Sequence, residues 1–223
     1  MYRRMHTFRV QITRVATISA LSILISPLSN EVFAGGLYGT DMVGGRVGVW
    51  INDGDPGTAV APSIGELSAS SPYVEVFYNH GFSNWFRGEV ALGVSKRSEL
   101  VSDESIITSG VSLYPLQFSM KFYPLGPLSI SSAYPFVQGG VGFSIASQSI
   151  RRPGRITGGS NTKTDFDFMF GGGLDIPLAE KIGVTVAGKY HRIDFGAAQF
   201  LGASDFSGLS FSAGLSYLFP FGG

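Results

Sequence analysis

From Asp41 to Phe219, apolar side chains recur at every second position, and the charged residues at the central positions of those stretches keep to the opposite parity. A strand sends successive side chains to opposite faces, whereas a helix would repeat its apolar positions at three and four residues. The last stretch is the clearest: Leu209, Phe211, Ala213, Leu215, Tyr217 and Phe219 share one face, and Ser210, Ser212, Gly214 and Ser216 the other. In the stretch before it, Ile182, Val184, Val186 and Tyr190 oppose Thr185, Ala187, Lys189 and His191. Eight such segments are bounded by Gly, Ser, Pro and Asn clusters: 41–53, 72–80, 85–97, 114–123, 135–148, 164–177, 182–195 and 206–219. They predict an all-β chain.

Period two does not say which face is wet; the placement of charge does. Charged residues make up only 14% of the 223 residues, against about 25% in an ordinary soluble domain. A 13% aromatic content excludes a disordered chain, and the absence of Cys excludes a disulfide scaffold. Arg46, Glu75, Arg87, Glu89, Lys121, Asp167, Asp175 and Lys189 all fall on the parity that also carries Gly44, Gly48, Gly93, Gly140, Gly142, Gly171, Gly173 and Gly214. In a soluble barrel these charges would simply face water. An eight-strand barrel is just wide enough for side chains to fill it, however, so the bulkier Phe/Val/Leu face suits the outside better. A charge at a lipid-facing midplane position costs roughly 2–4 kcal/mol, which gives the exclusion a cause. The expectation is a closed antiparallel up-and-down transmembrane β-barrel of eight strands, its interior sealed by an ion network of those eight residues. Lys96, Arg192 and Asp194 break parity at segment ends, where the cost falls. Trp50, Tyr73, Trp85, Phe86, Tyr123, Tyr134, Tyr190, Tyr217 and Phe219 are expected as interfacial girdles.

Residues 1–34 follow a different logic. Arg3, Arg4, Arg9 and Arg14 precede the apolar run Val15–Ile25, and a small-residue site ends at Ala34, the pattern of a cleaved signal peptide. Residues 35–223 then form the barrel domain. Removing four Arg and Glu31 leaves 12 basic and 15 acidic residues, a net charge of −3. Long stretches at 54–71, 98–113, 149–163 and 196–205 alternate with shorter ones at 81–84, 124–134 and 178–181, which predicts four extracellular loops and periplasmic chain ends. Pro115 cannot donate to a ladder and is expected at a rim or bulge.

The hairpin Phe118–Gly126 and Pro135–Phe143, the stretch 166–196, and the terminal Leu215, Tyr217, Phe219 alternation resemble small outer-membrane β-barrels of the opacity-protein and OmpA-like family, more distantly OmpW-like ones. The chain departs from that pattern by ending in Phe221-Gly222-Gly223. The resemblance implies the outer membrane of a Gram-negative bacterium, with outer-membrane lipid, lipopolysaccharide and the barrel-assembly machinery as partners. It also implies a surface-interaction role through the loops toward a host or extracellular ligand. Some relatives conduct small or hydrophobic solutes, for which a funnel near Trp50, Leu113 and Leu116 is the candidate. Others hydrolyse lipid A with a His and a Ser two positions apart on a late strand. Here Ile193 stands where that Ser would be.

Chemistry is otherwise sparse. His80 falls in a turn, and parity sends His191 and Asp194 to opposite faces as rim residues. The two histidines after residue 34, without Cys, offer no metal cluster, and no nucleophile lies beside a base. No catalytic residue, metal, cofactor or nucleic-acid partner is expected. Arg151, Arg152, Arg155 and Lys163 share an acid-free Pro/Gly/Ser stretch that could grip phosphates or other polyanions by charge, or be an ordinary solvated loop.

Overall fold

A computed structural model of the chain describes residues 39–53, 70–100, 108–126, 133–151, 161–196 and 204–220; the expected signal segment lies outside them. Eight strands follow in order: β1 (Thr40–Asn52), β2 (Ser70–Gly81), β3 (Phe86–Leu100), β4 (Thr108–Phe122), β5 (Tyr134–Arg151), β6 (Asn161–Ala179), β7 (Ile182–Ile193) and β8 (Gly208–Pro220). Each pairs antiparallel with its neighbour in the chain, and β1 closes onto β8. The result is a closed up-and-down barrel with no free edge, the form a sheet must take in hydrocarbon.

The alternation sets which way each strand faces. On β2, Ser71, Tyr73, Glu75, Phe77 and Asn79 are buried in the bore, while Val74, Val76 and Tyr78 look outward. Val47, Phe170 and Leu215 are 64%, 65% and 61% exposed, whereas Arg46, Lys121 and Asp167 are fully buried. Such a surface is stable only against lipid.

Several boundaries differ from expectation. β3, β4, β5 and β6 run past the expected segments toward the same end, to Leu100, Thr108, Arg151 and Asn161. Paired ribbons need only each other's backbone, so the ladders continue where the apolar alternation has already faded. The connection at 101–107 is therefore shorter than the one at 123–133, and loop length alone no longer separates the two ends. His80 lies in β2 and not in a turn; its ring Nδ1–H donates at 3.0 Å to Asp41, which also accepts the Tyr78 hydroxyl at 2.5 Å.

Pro115 sits mid-strand, neither at a rim nor at a bulge. The β3–β4 register is the same on both sides of it (Leu92 opposite Leu116, Ser95 opposite Leu113), with only the intervening pairs missing. The ring turns inward over Gly93, whose missing side chain makes the space: a Cβ there would stand 3.0 Å from Pro115 Cγ. Proline thus costs the ladder a donor without shifting it.

Candidate functional site

The bore is the one place where the sequence concentrates polar chemistry, and it is filled in layers. Toward the end with the 101–107 and 152–160 connections, Trp50, Tyr73, Val111, Leu113, Ala146, Ile193, Phe195 and Phe206 form one apolar cluster. Toward the opposite end, Met42, Tyr123, Tyr134, Phe136, Ala187 and Leu218 form another. Ionised groups lie between them.

Glu89 on β3 is the centre of that layer. It receives Arg46 Nη2 at 2.8 Å, Lys121 Nζ at 3.0 Å and Lys189 Nζ at 3.2 Å. Lys189 also bonds both Glu75 oxygens at 3.0 Å, and Arg46 pairs with Glu75. Lys121 reaches Asp175 at 3.4 Å, which additionally accepts from Tyr123 at 2.6 Å and Thr185 at 2.5 Å. β3 and β7 are four strands apart in an eight-strand ring, so the Glu89–Lys189 pair joins opposite walls. Arg46 lies 4.2 Å over the Phe77 ring and Lys121 4.2 Å over Phe136, so aromatic faces supply further negative potential.

Of the eight residues expected in an ion network, Arg46, Glu75, Glu89, Lys121, Lys189 and Asp175 meet in this cluster. Arg87 and Asp167 are buried but engaged elsewhere. Arg87 Nη2 donates to Thr40 Oγ1 at 2.7 Å. Asp167 accepts from Gln117 Nε2 at 2.9 Å and Ser144 Oγ at 3.3 Å.

Beside Asp167 stands a group the sequence misplaces. His191 is not a rim residue; it is fully buried, stacked on Trp50 with ring centroids 4.2 Å apart. Its Nε2 is 2.9 Å from Ser210 Oγ, and its Nδ1 is 2.7 Å from Gln117 Nε2 and 3.8 Å from Asp167. The outline is that of a Ser-His-Asp triad, but the proton count runs the other way. Gln117 donates to both Asp167 and Nδ1, so the imidazole proton is on Nε2 and points at Ser210. The Ser210 hydroxyl in turn donates to the Lys189 carbonyl at 3.4 Å. The imidazole is therefore a donor to the serine, not its base, and the group reads as a buried hydrogen-bond chain, with Gln117 Oε1 and Asp167 Oδ1 left without a partner among the described residues.

Four of the expected girdle aromatics are inside the barrel: Trp50, Tyr73 and Tyr123 share parity with Arg46, Glu75 and Lys121 on their strands, and Tyr134 lies opposite Asp175 in the β5–β6 ladder. Trp85, Phe86 and Tyr217 are exposed outward as expected. Leu113 and Trp50 line the bore but Leu116 faces out, so the three do not make a funnel. Arg97, buried and 5.6 Å over Phe206, and Gln117 escaped the sequence reading although each lies on the charged parity. Of the basic stretch, Arg152 and Arg155 lie outside the described residues. Arg151 ends β5, opposite Thr108, and Lys163 is exposed on β6.

A family model described as "Outer membrane protein beta-barrel domain" matches residues 16–219. Among solved structures, the outer membrane protein OprG of Pseudomonas aeruginosa is 14% identical with a TM-score of 0.58, covering 84% of this chain and 99% of that one. Ail, the attachment invasion locus protein of Yersinia pestis, solved in complex with the heparin analogue sucrose octasulfate, is 15% identical with a TM-score of 0.50, covering 81% and 97%. Neisserial surface protein A is 10% identical with a TM-score of 0.50, covering 80% and 96%. At these identities the likeness shows the fold alone. No curated protein matches the chain.

Proposed function

The chain belongs to the outer membrane protein beta-barrel domain family, and on that premise we propose that it is a closed, non-conducting barrel of the Gram-negative outer membrane. It acts through the four connections at the end where the β3–β4 and β5–β6 ribbons extend, which face the cell exterior. A signal peptide cleaved after Ala34 delivers it, and the outward aromatic alternation of β8 presents it to the assembly machinery. Outer-membrane lipid and lipopolysaccharide surround it, and it performs no catalysis.

The observation that carries this reading is the Glu89–Lys189 contact across the full bore, capped on both sides by apolar clusters. A conduit would need at least a water-wide path through that layer. The exterior assignment is supported by the tight connections at 82–85 and 180–181, which sit at the other end as periplasmic turns do. Exposed Lys163, together with Arg151, Arg152 and Arg155, gives the outer connections a basic stretch toward sulfated or phosphorylated polyanions. Ail, of the same fold, is solved with a sulfated sugar.

Reconstitution of the full mature chain in planar bilayers tests the closed interior. The expected record is flat, and a large, stable, long-lived open pore overturns the reading. Protease added to intact cells should cut within 152–160 and spare 180–181; the reverse pattern inverts the orientation.

A further inference from the structure

Five cations are buried among the described residues: Arg46, Arg87, Arg97, Lys121 and Lys189. Arg46, Lys121 and Lys189 have acidic partners in the central layer, and Arg87 has Thr40. Arg97 differs. Its side chain makes no hydrogen bond or ion pair among the described residues, and its Nη2 is buried without an acceptor. The Phe206 ring, with its centroid 5.6 Å from the guanidinium carbon, is what faces it instead. An aromatic face offsets only part of the cost of taking a guanidinium out of water.

Arg97 stands at the outer end of the bore. It is the next inward residue on β3 after Ser95, whose hydroxyl meets that of Ser71 at 2.6 Å, and it lies opposite Val111 in the β3–β4 ladder. Val111 and Phe206 belong to the outer apolar cluster, together with Trp50 and Phe195. Arg97 keeps 5% of its surface exposed and Phe195 8%, whereas Arg46 and Lys121 keep none, so this guanidinium is reached from the mouth. Trp50 also has an Nε1–H without an acceptor among the described residues. The carboxylates of this end are spent elsewhere: Asp53 bonds the Tyr190 hydroxyl on the outer wall with Asp205 beside it, and no carboxylate acts on Arg97.

N–H donors without acceptors beside an apolar floor call for a ligand with one negative charge and an apolar body. A carboxylate supplies two acceptor oxygens in the geometry that a guanidinium fork matches. Sulfate or inorganic phosphate would bring a second charge and a full hydration shell to a single cation among apolar walls.

We propose that the outer mouth of the bore is a binding site for a small organic monocarboxylate, its carboxylate on Arg97 and its apolar body against Phe195 and Phe206. The seat is separate from the basic stretch of the outer connections and needs only the mouth, so it does not depend on whether the ionic layer beneath it conducts.

Calorimetric titration of the full mature chain in a neutral maltoside detergent with sodium benzoate reads the site. Wild type should bind one benzoate, and Arg97→Gln should weaken it at least tenfold, the effect of losing one charge-assisted bond. Lys96→Gln and Arg192→Gln, cations on the outward parity, should leave it unchanged. Benzyl alcohol, of similar shape without the charge, should bind at least tenfold more weakly, and sodium sulfate should not displace benzoate at matched ionic strength. Benzoate should also raise the urea midpoint of wild type and leave that of Arg97→Met where it is. Without ligand, Arg97→Met should be at least as stable as wild type, since no pair is broken. Undiminished binding by Arg97→Gln, equal binding of benzyl alcohol, a wild-type midpoint that benzoate does not move, or an Arg97→Met midpoint well below wild type each overturns the site. Heat-modifiable migration on gels certifies that each variant is a folded barrel. A stable pore in planar bilayers would sink the closed interior alone, and failure of benzoate binding in detergent would sink the seat alone.

Discussion

Gly93 and Pro115 face each other inside the β3–β4 hairpin at one of the two missing rungs of the ladder, and the glycine is what admits the proline ring. A Cβ on Gly93 would lie 3.0 Å from Pro115 Cγ and 2.6 Å from Tyr73 Oη. Tyr73 cannot swing away freely, since its hydroxyl bonds Glu75 at 2.5 Å and its ring meets Trp50 edge-on. Gly93→Ala should therefore destabilise the barrel by about 1–3 kcal/mol, as overpacked sites do. Gly139→Ala, with its nearest neighbour 4.0 Å away on the lipid side, should be neutral or mildly stabilising. Urea unfolding midpoints in lipid vesicles, followed by tryptophan fluorescence, make the comparison; equal midpoints for the two variants contradict it.

Glu89 pairs with three cations at once, so its loss is not the loss of one pair. Glu89→Gln leaves Arg46, Lys121 and Lys189 with a single acidic partner each among those contacts, Glu75 for two of them and Asp175 for the other. Breaking a buried pair from one side typically costs about 3–5 kcal/mol, and this variant should fall in that range. Adding Lys189→Met should recover part of the loss, because it removes one of the stranded charges together with its desolvation cost. A double-mutant cycle on unfolding free energy that shows no coupling would mean that the two walls do not touch.

The sequence carried the fold because a charge at the lipid midplane is costly enough to be visible by parity alone. Arg46, Glu75, Lys121 and Lys189 all sit where that argument puts them. For the aromatics, position along the segment and parity disagree: position sends Trp50, Tyr73, Tyr123 and Tyr134 to the interfaces, and all four are inside. Their burial caps the ionic layer, which no composition rule anticipates. His191 was also on the charged parity, yet its partners Gln117, Asp167 and Ser210 come from β4, β6 and β8, and a barrel's radial neighbours cannot be read from spacing in the chain. The extension of β3–β6 beyond their apolar stretches was invisible for a related reason, since backbone pairing outside the bilayer leaves no alternation to read.

Lipid facing should show itself as a dependence on depth. Val47, 64% exposed near the middle of β1, and Ile51, near its outer end, lie on the same outward face. Val47→Arg should cost roughly 2–4 kcal/mol and Ile51→Arg about 0–1 kcal/mol in vesicle unfolding, because the arginine at the end reaches water. In a soluble barrel both sites would be solvated and the two costs alike. Equal values would therefore count against the membrane face itself.

Ser210 offers the sharpest distinction between a buried hydrogen-bond chain and an enzyme. If His191 Nε2 carries its proton toward Ser210 and Ser210 passes its own to the Lys189 carbonyl, removing the hydroxyl strands one donor and removes no nucleophile. Ser210→Ala should then cost about 1–2 kcal/mol of stability, in keeping with an unsatisfied buried group. It should leave the acyl composition of lipid A from expressing cells unchanged by mass spectrometry. The geometry gives a reason beyond the proton count: Ser210 is fully buried under the Trp50–Phe206 cluster, so an acyl ester would have to displace that cluster to reach Oγ. A lipid A acyl pattern that differs between cells expressing wild type and cells expressing Ser210→Ala would mean that the proton sits on Nδ1 and the cluster opens, and the closed-barrel reading would fall with it.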